Sequence, residues 1–378
     1  MIYGAAALAV ALAGGCATQP KSQTTVSSSF AGPASVPKKD RVLWEYRNGL
    51  AAMRKGDFAT AKQMFDDALM TISGVYGKDP SARKARGYFT EEAKKNFLGE
   101  PYERVMAYWY RGILYWMDGE PDNARACFKS AQLMDSDAEN KEYAADYASL
   151  DYLDGYASVK LNGDGSDGWQ RAQKLSKIGQ LPPYDKNANV LVFFDFGVGP
   201  TKYATGEYRE ELHFRTGISQ IQGAWLRVAN KKVRIGPYDD LNFQATTRGG
   251  RVMDHVLANK AVFKGATDTF GNGALISGGA LAATQRGGAQ EVGLGLLAAG
   301  LVSKIVSGAT TPAADTRSWD NLPEYVSFAA LELPSGTYDG AVDFTDAAGN
   351  VVMTRTFRFS TPAPNGHDAV IFISDKST

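Results

Sequence analysis

Histidine and cysteine are scarce in this 378-residue chain, an excess of either charge is absent, and no apolar run is long. Each absence excludes something. The three histidines, His213, His255 and His367, are dispersed and form no spaced metal-ligand pattern. Of the two cysteines, Cys16 lies beside an apolar leader and Cys127 inside a helical pattern, which argues against a disulfide framework. Lys+Arg and Asp+Glu stand at 41 each, so the cationic excess of a nucleic-acid-binding chain is missing. No apolar stretch reaches the roughly 20 residues that a membrane-spanning helix needs. No nucleophile, base and orienting group stand together, and no cofactor motif survives inspection, so a non-catalytic protein without a cofactor is expected. What is present is a globular balance, 44% hydrophobic and 22% charged, in a chain long enough for two or more domains.

Residues Gly4 to Gly15 are almost wholly small or apolar, the length of a signal-peptide core. They end in Leu12-Ala13-Gly14-Gly15-Cys16, which resembles a bacterial lipobox. The resemblance implies cleavage before Cys16 and a diacylglycerol on its sulfur. Met1-Ile2-Tyr3 lacks the basic residue that opens an exported leader, which predicts a truncated or misassigned start. From Ala17 to Asp40 the chain is rich in Ser, Thr, Pro and Gln without apolar period, as a flexible tether is. Ala17 is not the aspartate that retains lipoproteins in the inner membrane, so for a Gram-negative host the resemblance implies the outer membrane, at its periplasmic face. Two or three acyl chains hold such a protein without a spanning helix.

An internal period follows. Gly49, Gly56, Ala61, Phe65 and Ala68 recur at one offset, 63 residues on, as Gly112, Gly119, Ala124, Phe128 and Ala131. The order resembles the tetratricopeptide repeat, in which small residues let two antiparallel helices touch and a phenylalanine fills the gap. Arg41 to Lys55 with Ala61 to Ile72, and Glu103 to Met117 with Asn123 to Leu133, read as two such pairs. Tyr143 to Val159 with Trp169 to Ile178 read as a degenerate third. Because the repeat needs only about 34 residues, the charged stretch Ser73 to Pro101 is read as an insertion. Cys127, beside Phe128, is read as a buried core thiol. The loop Asn162 to Gly168 mimics a calcium loop but lacks Gly at its sixth position and Glu at its twelfth, and is read as a turn with Asp167 capping the next helix.

In a repeat of this type the first helix of each pair lines the concave face. Tyr46, Leu50 and Met53, with Trp109, Ile113 and Trp116, occupy i, i+4 and i+7 on those helices. Core packing is the plainer account of Leu50 and Ile113, but two tryptophans and a tyrosine require cover. The stripe is therefore a candidate partner-binding groove for an apolar helix, either Val292 to Val302 of this chain or one from a partner.

Gly99-Glu100-Pro101-Tyr102-Glu103-Arg104, Tyr110-Arg111-Gly112 and Ala314-Asp315-Thr316-Arg317-Ser318-Trp319 resemble signatures of a family of uncharacterised bacterial lipoproteins with N-terminal tetratricopeptide-like repeats. The resemblance implies a cell-envelope setting, a non-catalytic role and a partner within the peptidoglycan-synthesis machinery.

After Leu181-Pro182-Pro183 the period changes to short β-branched and aromatic runs. These are Asn189 to Phe196, Glu211 to Phe214, Ala224 to Val228, Lys231 to Ile235 and Leu241 to Ala245, then Tyr325 to Leu333, Tyr338 to Phe344, Val351 to Phe359 and Ala369 to Ser374. Gly197-Val198-Gly199-Pro200-Thr201-Lys202 lacks P-loop spacing and is read as a strand-exit turn. Between the two sets of strands, about 249–310, a helical insertion is expected, with small residues Gly295, Ala299 and Ser303 on one stripe of Val292 to Val302.

The sequence thus predicts an α+β multidomain protein. Leader and lipobox occupy 1–16 and a tether 17–40. A tetratricopeptide-like helical domain covers 41–180, and an antiparallel β-sandwich with its helical insertion covers 181–378. The expected function is that of a membrane-anchored envelope scaffold or regulator. The alternative is a glycan- or peptidoglycan-binding protein or envelope enzyme, with a second candidate site at Asp315, Arg317 and Trp319 in the β domain. Such a site would draw in His213 or His255.

Overall fold

The structure, a computed structural model, describes residues 35–76, 96–136, 143–247, 313–364 and 366–377. The leader with Cys16, the tether as far as residue 34, the middle of the charged insertion, His255 and the insertion at 249–310 with Val292 to Val302 lie outside the described residues.

Among the described residues six α-helices come first: α1 Arg41–Arg54, α2 Phe58–Tyr76, α3 Pro101–Met117, α4 Pro121–Asp135, α5 Ala148–Lys160 and α6 Ser166–Leu175. They pack in sequential pairs, α1 on α2, α3 on α4 and α5 on α6. The recurring residues explain why the first two pairs are alike. A Cβ on Gly49 would lie 3.1 Å from the Phe65 ring, and one on Gly112 would lie 2.6 Å from the Phe128 ring, so each aromatic seats itself against bare backbone of the facing helix. Gly56 and Gly119 carry φ of +77° and +82° in the two inter-helix turns, a conformation that costs glycine little. Ala61, Phe65 and Ala68, like Ala124, Phe128 and Ala131, are wholly buried.

The strands are β1 Val190–Phe196, β2 Thr201–Thr205, β3 Glu211–Arg215, β4 Gly223–Val228, β5 Lys231–Ile235, β6 Asp239–Asp240, β7 Tyr325–Leu331, β8 Gly336–Thr345, β9 Val351–Thr361 and β10 Ala369–Ser374. They form a sheet of order β10-β1-β7-β6, a hairpin β2-β3 and a sheet of order β5-β4-β8-β9. The second four-stranded sheet is antiparallel throughout. The first is not, which corrects the antiparallel expectation: β10 runs parallel to β1, on the side opposite antiparallel β7. Every residue of β1 is buried, the mark of a strand covered on both faces.

That double burial also corrects the boundary at 180/181. Leu191 and Phe193 belong to the core of the helices, while Val190, Val192, Phe194 and Phe196 belong to the core shared by the two four-stranded sheets. Helices and strands that read as separate domains belong to one compact unit, Pro37–Thr378. Two local readings change as well. Leu241 to Ala245, expected as a strand, is helix α7 Leu241–Thr246, because the Asp240 carboxylate accepts from the Phe243 backbone N–H and caps it. Helix α6 begins at Ser166 rather than after Asp167, and Asp164 accepts from the Ser166 N–H in the preceding turn.

Phe193 is the contact between the helices and β1, its ring centroid 6.0 Å from Trp109, 6.1 Å from Trp116 and 4.9 Å from Phe328. Phe193→Ala is expected to cost ~3–5 kcal/mol, as truncation of a buried aromatic does, and to red-shift tryptophan emission as water reaches Trp109 and Trp116. Denaturant unfolding followed by fluorescence checks both.

Candidate functional site

The proposed groove residues come together as the sequence suggests, but they face the chain's own strands. Tyr46, Leu50, Met53, Trp109, Ile113 and Trp116 are each at most 1% exposed. Trp109 and Trp116 meet Phe193 of β1, and Tyr46 stacks on Trp319 at 4.4 Å with the ring planes 20° apart. This corrects the groove assignment. The stripe is core, and neither Val292 to Val302 nor a partner helix is needed to explain its cover. Tryptophan-rich faces do require a cover, and the first sheet with the Trp319 loop supplies it.

The second candidate site is corrected in the same way. Asp315 and Arg317 form a bidentate pair, with Nε–Oδ1 at 2.9 Å and Nη2–Oδ2 at 2.6 Å. Arg317 also donates to the Asp40 carboxylate at 2.7 Å and the Lys39 carbonyl at 3.0 Å. Trp319 is fully buried. Arg47 donates to the Ser318 carbonyl, and Arg54 to the Asn321 carbonyl, each at 2.8 Å. The loop is pinned along α1 by its arginines, and its indole fills the helical core. His213 lies elsewhere, half-exposed and stacked on Tyr203 in the β2-β3 hairpin.

Sequence reasoning missed the polar groups that join helices to strands. The Glu103 carboxylate, wholly buried, accepts from the Glu100 backbone N–H at 2.6 Å, the Lys202 ammonium at 2.8 Å and the Trp319 backbone N–H at 2.6 Å. The side chain of Lys202, from the Gly197 to Lys202 turn and β2, is 1% exposed and also donates to the Arg317 carbonyl at 3.0 Å. One carboxylate thereby fixes the start of α3, the hairpin and the Trp319 loop. The turn itself is a strand exit as expected: Gly197 takes φ +80°, and the Gly199 N–H donates to the Leu322 carbonyl.

A second cluster centres on Asp195, the one charged residue of β1. Its Oδ2 accepts from Arg54 at 2.7 Å and from the Tyr110 hydroxyl at 2.8 Å. Beside it, Asp375 accepts from the Gly197 N–H, and Lys376 donates to the Gly197 carbonyl. Burial raises the Asp375 carboxyl, helped by the Asp195 charge, and lowers the Lys376 ammonium, helped by Arg54. Burial also pushes the Cys127 thiol up to about 12, which leaves it unreactive at neutral pH.

A third link is Asp239 of β6, whose two oxygens accept from the Ala148 and Ser149 backbone N–H groups at 2.7 and 2.9 Å. The start of α5 is thus capped from a strand 90 residues away. Desolvation pushes this carboxyl up to about 6 against the opposing pull of those N–H bonds.

The open surface lies on the second sheet. A shallow concavity of about 610 Å³ is lined by Arg227, Asp339, Gly340, Ala341, Thr356 and Arg358, among others. Its arginines are already engaged, Arg227 with Asp343 and Arg358 with Asp339, both bidentately. Among the described residues no three or more His, Cys, Asp or Glu converge on a metal-sized site. In comparisons with family models, curated proteins and solved structures, nothing matches this chain.

Two outcomes are expected from the buried charges. Lys202→Met leaves the Glu103 carboxylate buried without its cation and should cost about 3–5 kcal/mol, with part of the loss restored by adding Glu103→Gln. Urea unfolding of the two single variants and the double variant measures this. For Asp239, the folded carboxyl keeps its proton to higher pH than the unfolded one, from an ordinary value of 3.8 up to about 6. As pH rises from about 4 to about 6 the folded state must give up a proton that the unfolded state has already lost, so this group's contribution to stability falls. Asp239→Asn removes that titration. Relative to the variant, the wild type should therefore lose up to about 3 kcal/mol between pH 4 and pH 7, as read from unfolding curves at each pH.

Proposed function

We propose that this protein is a lipid-anchored scaffold of the bacterial cell envelope, held by Cys16 at the periplasmic face of the outer membrane through the tether 17–40. The lipobox-like Leu12-Ala13-Gly14-Gly15-Cys16 followed by a polar tether carries this reading. The helical pairs are read as tetratricopeptide-like repeats, supported by the matched Gly49/Phe65 and Gly112/Phe128 contacts. The two four-stranded sheets, with their shared core, are read as a sandwich that is mixed rather than antiparallel.

The filled groove changes how such a scaffold works. A repeat array with an open concave face grips a segment of its partner there. Here the concave face is spent on holding the chain's own strands, so the partner, proposed from the family resemblance to belong to peptidoglycan synthesis, docks on outer surfaces of one preassembled body. The glycan-binding alternative loses its residues, because Asp315 and Arg317 are engaged in pinning a loop and Trp319 is buried away from any sugar.

Cys16→Ser is expected to abolish incorporation of a fatty-acid label and to move the protein from the membrane to the soluble fraction. Labelling the wild type and variant from an authentic start codon and fractionating the cells checks this. A wild type without label would refute the anchoring.

A further inference from the structure

The structure has four exposed ends to its two main sheets, and they are not treated alike. β6 is two residues long, and β10 lies against α1, α3 and part of β9. β5 reads Lys231-Lys232-Val233-Arg234-Ile235, the charged composition that discourages a strand from adding to it. β9 is different. Among the described residues it is the longest strand, 11 residues, at the edge of its sheet, and it contains no proline, glycine or lysine. Its backbone groups facing away from β8 have no hydrogen-bond partner among the described residues. Val351 and Val352 are 56% and 43% exposed, while Met353, Phe357 and Phe359 are half-buried at the margin of the sheet core.

Its charges are held back from the edge. Arg358 is bidentate to Asp339, and Arg355 donates to the Asp375 carbonyl at 2.8 Å. The strand is a β-branched and aromatic ladder whose two arginines are each engaged and whose outward backbone groups are unpaired among the described residues, the feature to which another strand adds.

We propose that the occupant is a second copy of this chain, with β9 pairing antiparallel to β9 of its partner about a two-fold axis through Thr356. The strand is complementary to itself in this register. Met353 falls opposite Phe359, Arg355 opposite Phe357, Thr354 opposite Arg358, Val352 opposite Ser360 and Thr356 opposite Thr356. Sulfur meets ring and hydroxyl meets hydroxyl, and no like charges are apposed. The neighbouring register, about Arg355, places the two guanidinium groups face to face and is disfavoured. The pairing joins two four-stranded sheets into one of eight strands, with the half-buried Met353, Phe357 and Phe359 of each copy covered by those of the other. A two-fold contact of this kind closes on itself and leaves no further β9 edge for growth.

The test uses the full chain carrying Cys16→Ser, so that no lipid contributes to association, and does not depend on the envelope reading. Sedimentation equilibrium is expected to show a monomer–dimer equilibrium. Thr356→Lys places two ammonium groups against each other at the axis and should weaken the dimer by about tenfold or more. The position is exposed, so the thermal melt of the monomer should not change. Thr356→Cys should form an interchain disulfide under mild oxidation, whereas Thr354→Cys should not, because its partner across the axis is Arg358. A chain that stays monomeric at high micromolar concentration overturns the proposal. So does a dimer indifferent to Thr356→Lys, or one cross-linked as well through position 354 as through 356.

Discussion

β1 is apolar on both faces, and that one constraint organises the molecule. A seven-residue strand with every side chain buried must have a layer on each side. On one side the helices supply it through Trp109 and Trp116 against Phe193. On the other, the second sheet supplies it through residues such as Leu226, Val342 and Phe344 around Val192 and Phe194. The result is three layers in which the middle one belongs to both cores, and the helices cannot be regarded as a module that merely precedes a β domain.

Burying a strand between two layers also buries whatever charge it carries. Asp195 is answered by Arg54 from the end of α1 and by Tyr110 from α3. The same logic recurs at Glu103 with Lys202 and at Asp239 with the start of α5. In each case one partner lies on a helix and the other on a strand or its exit turn. These contacts add little net stability over an apolar substitute, yet leaving one half unpaired is costly, so they select the arrangement in which all halves meet. The Trp319 loop shows the cooperation: its indole completes the helical core, while its backbone N–H is held by Glu103.

A body assembled this way spends the apolar stripe of α1 and α3 on its own core, where Trp109 and Trp116 meet Phe193 of β1 and Tyr46 stacks on Trp319.

By itself the sequence determined what is local. The 63-residue recurrence of glycine, alanine and phenylalanine placed the first two helical pairs, because a glycine opposite an aromatic is a short-range steric rule. Period-two runs placed most strands, and the missing spacing in Gly197 to Lys202 identified a turn. What faces what was decided by the tertiary structure. An apolar stripe such as Tyr46 to Trp116 specifies that it must be covered, since the hydrophobic effect has no direction, and it does not specify by what. The parallel placement of β10 beside β1 and the pairing of Glu103 with Lys202 bring together residues far apart in the chain. Asp315, Arg317 and Trp319 show the same division. Their residue types promised strong, directional contacts, and only the fold showed that those contacts are made within the chain, to Asp40, Tyr46 and Glu103.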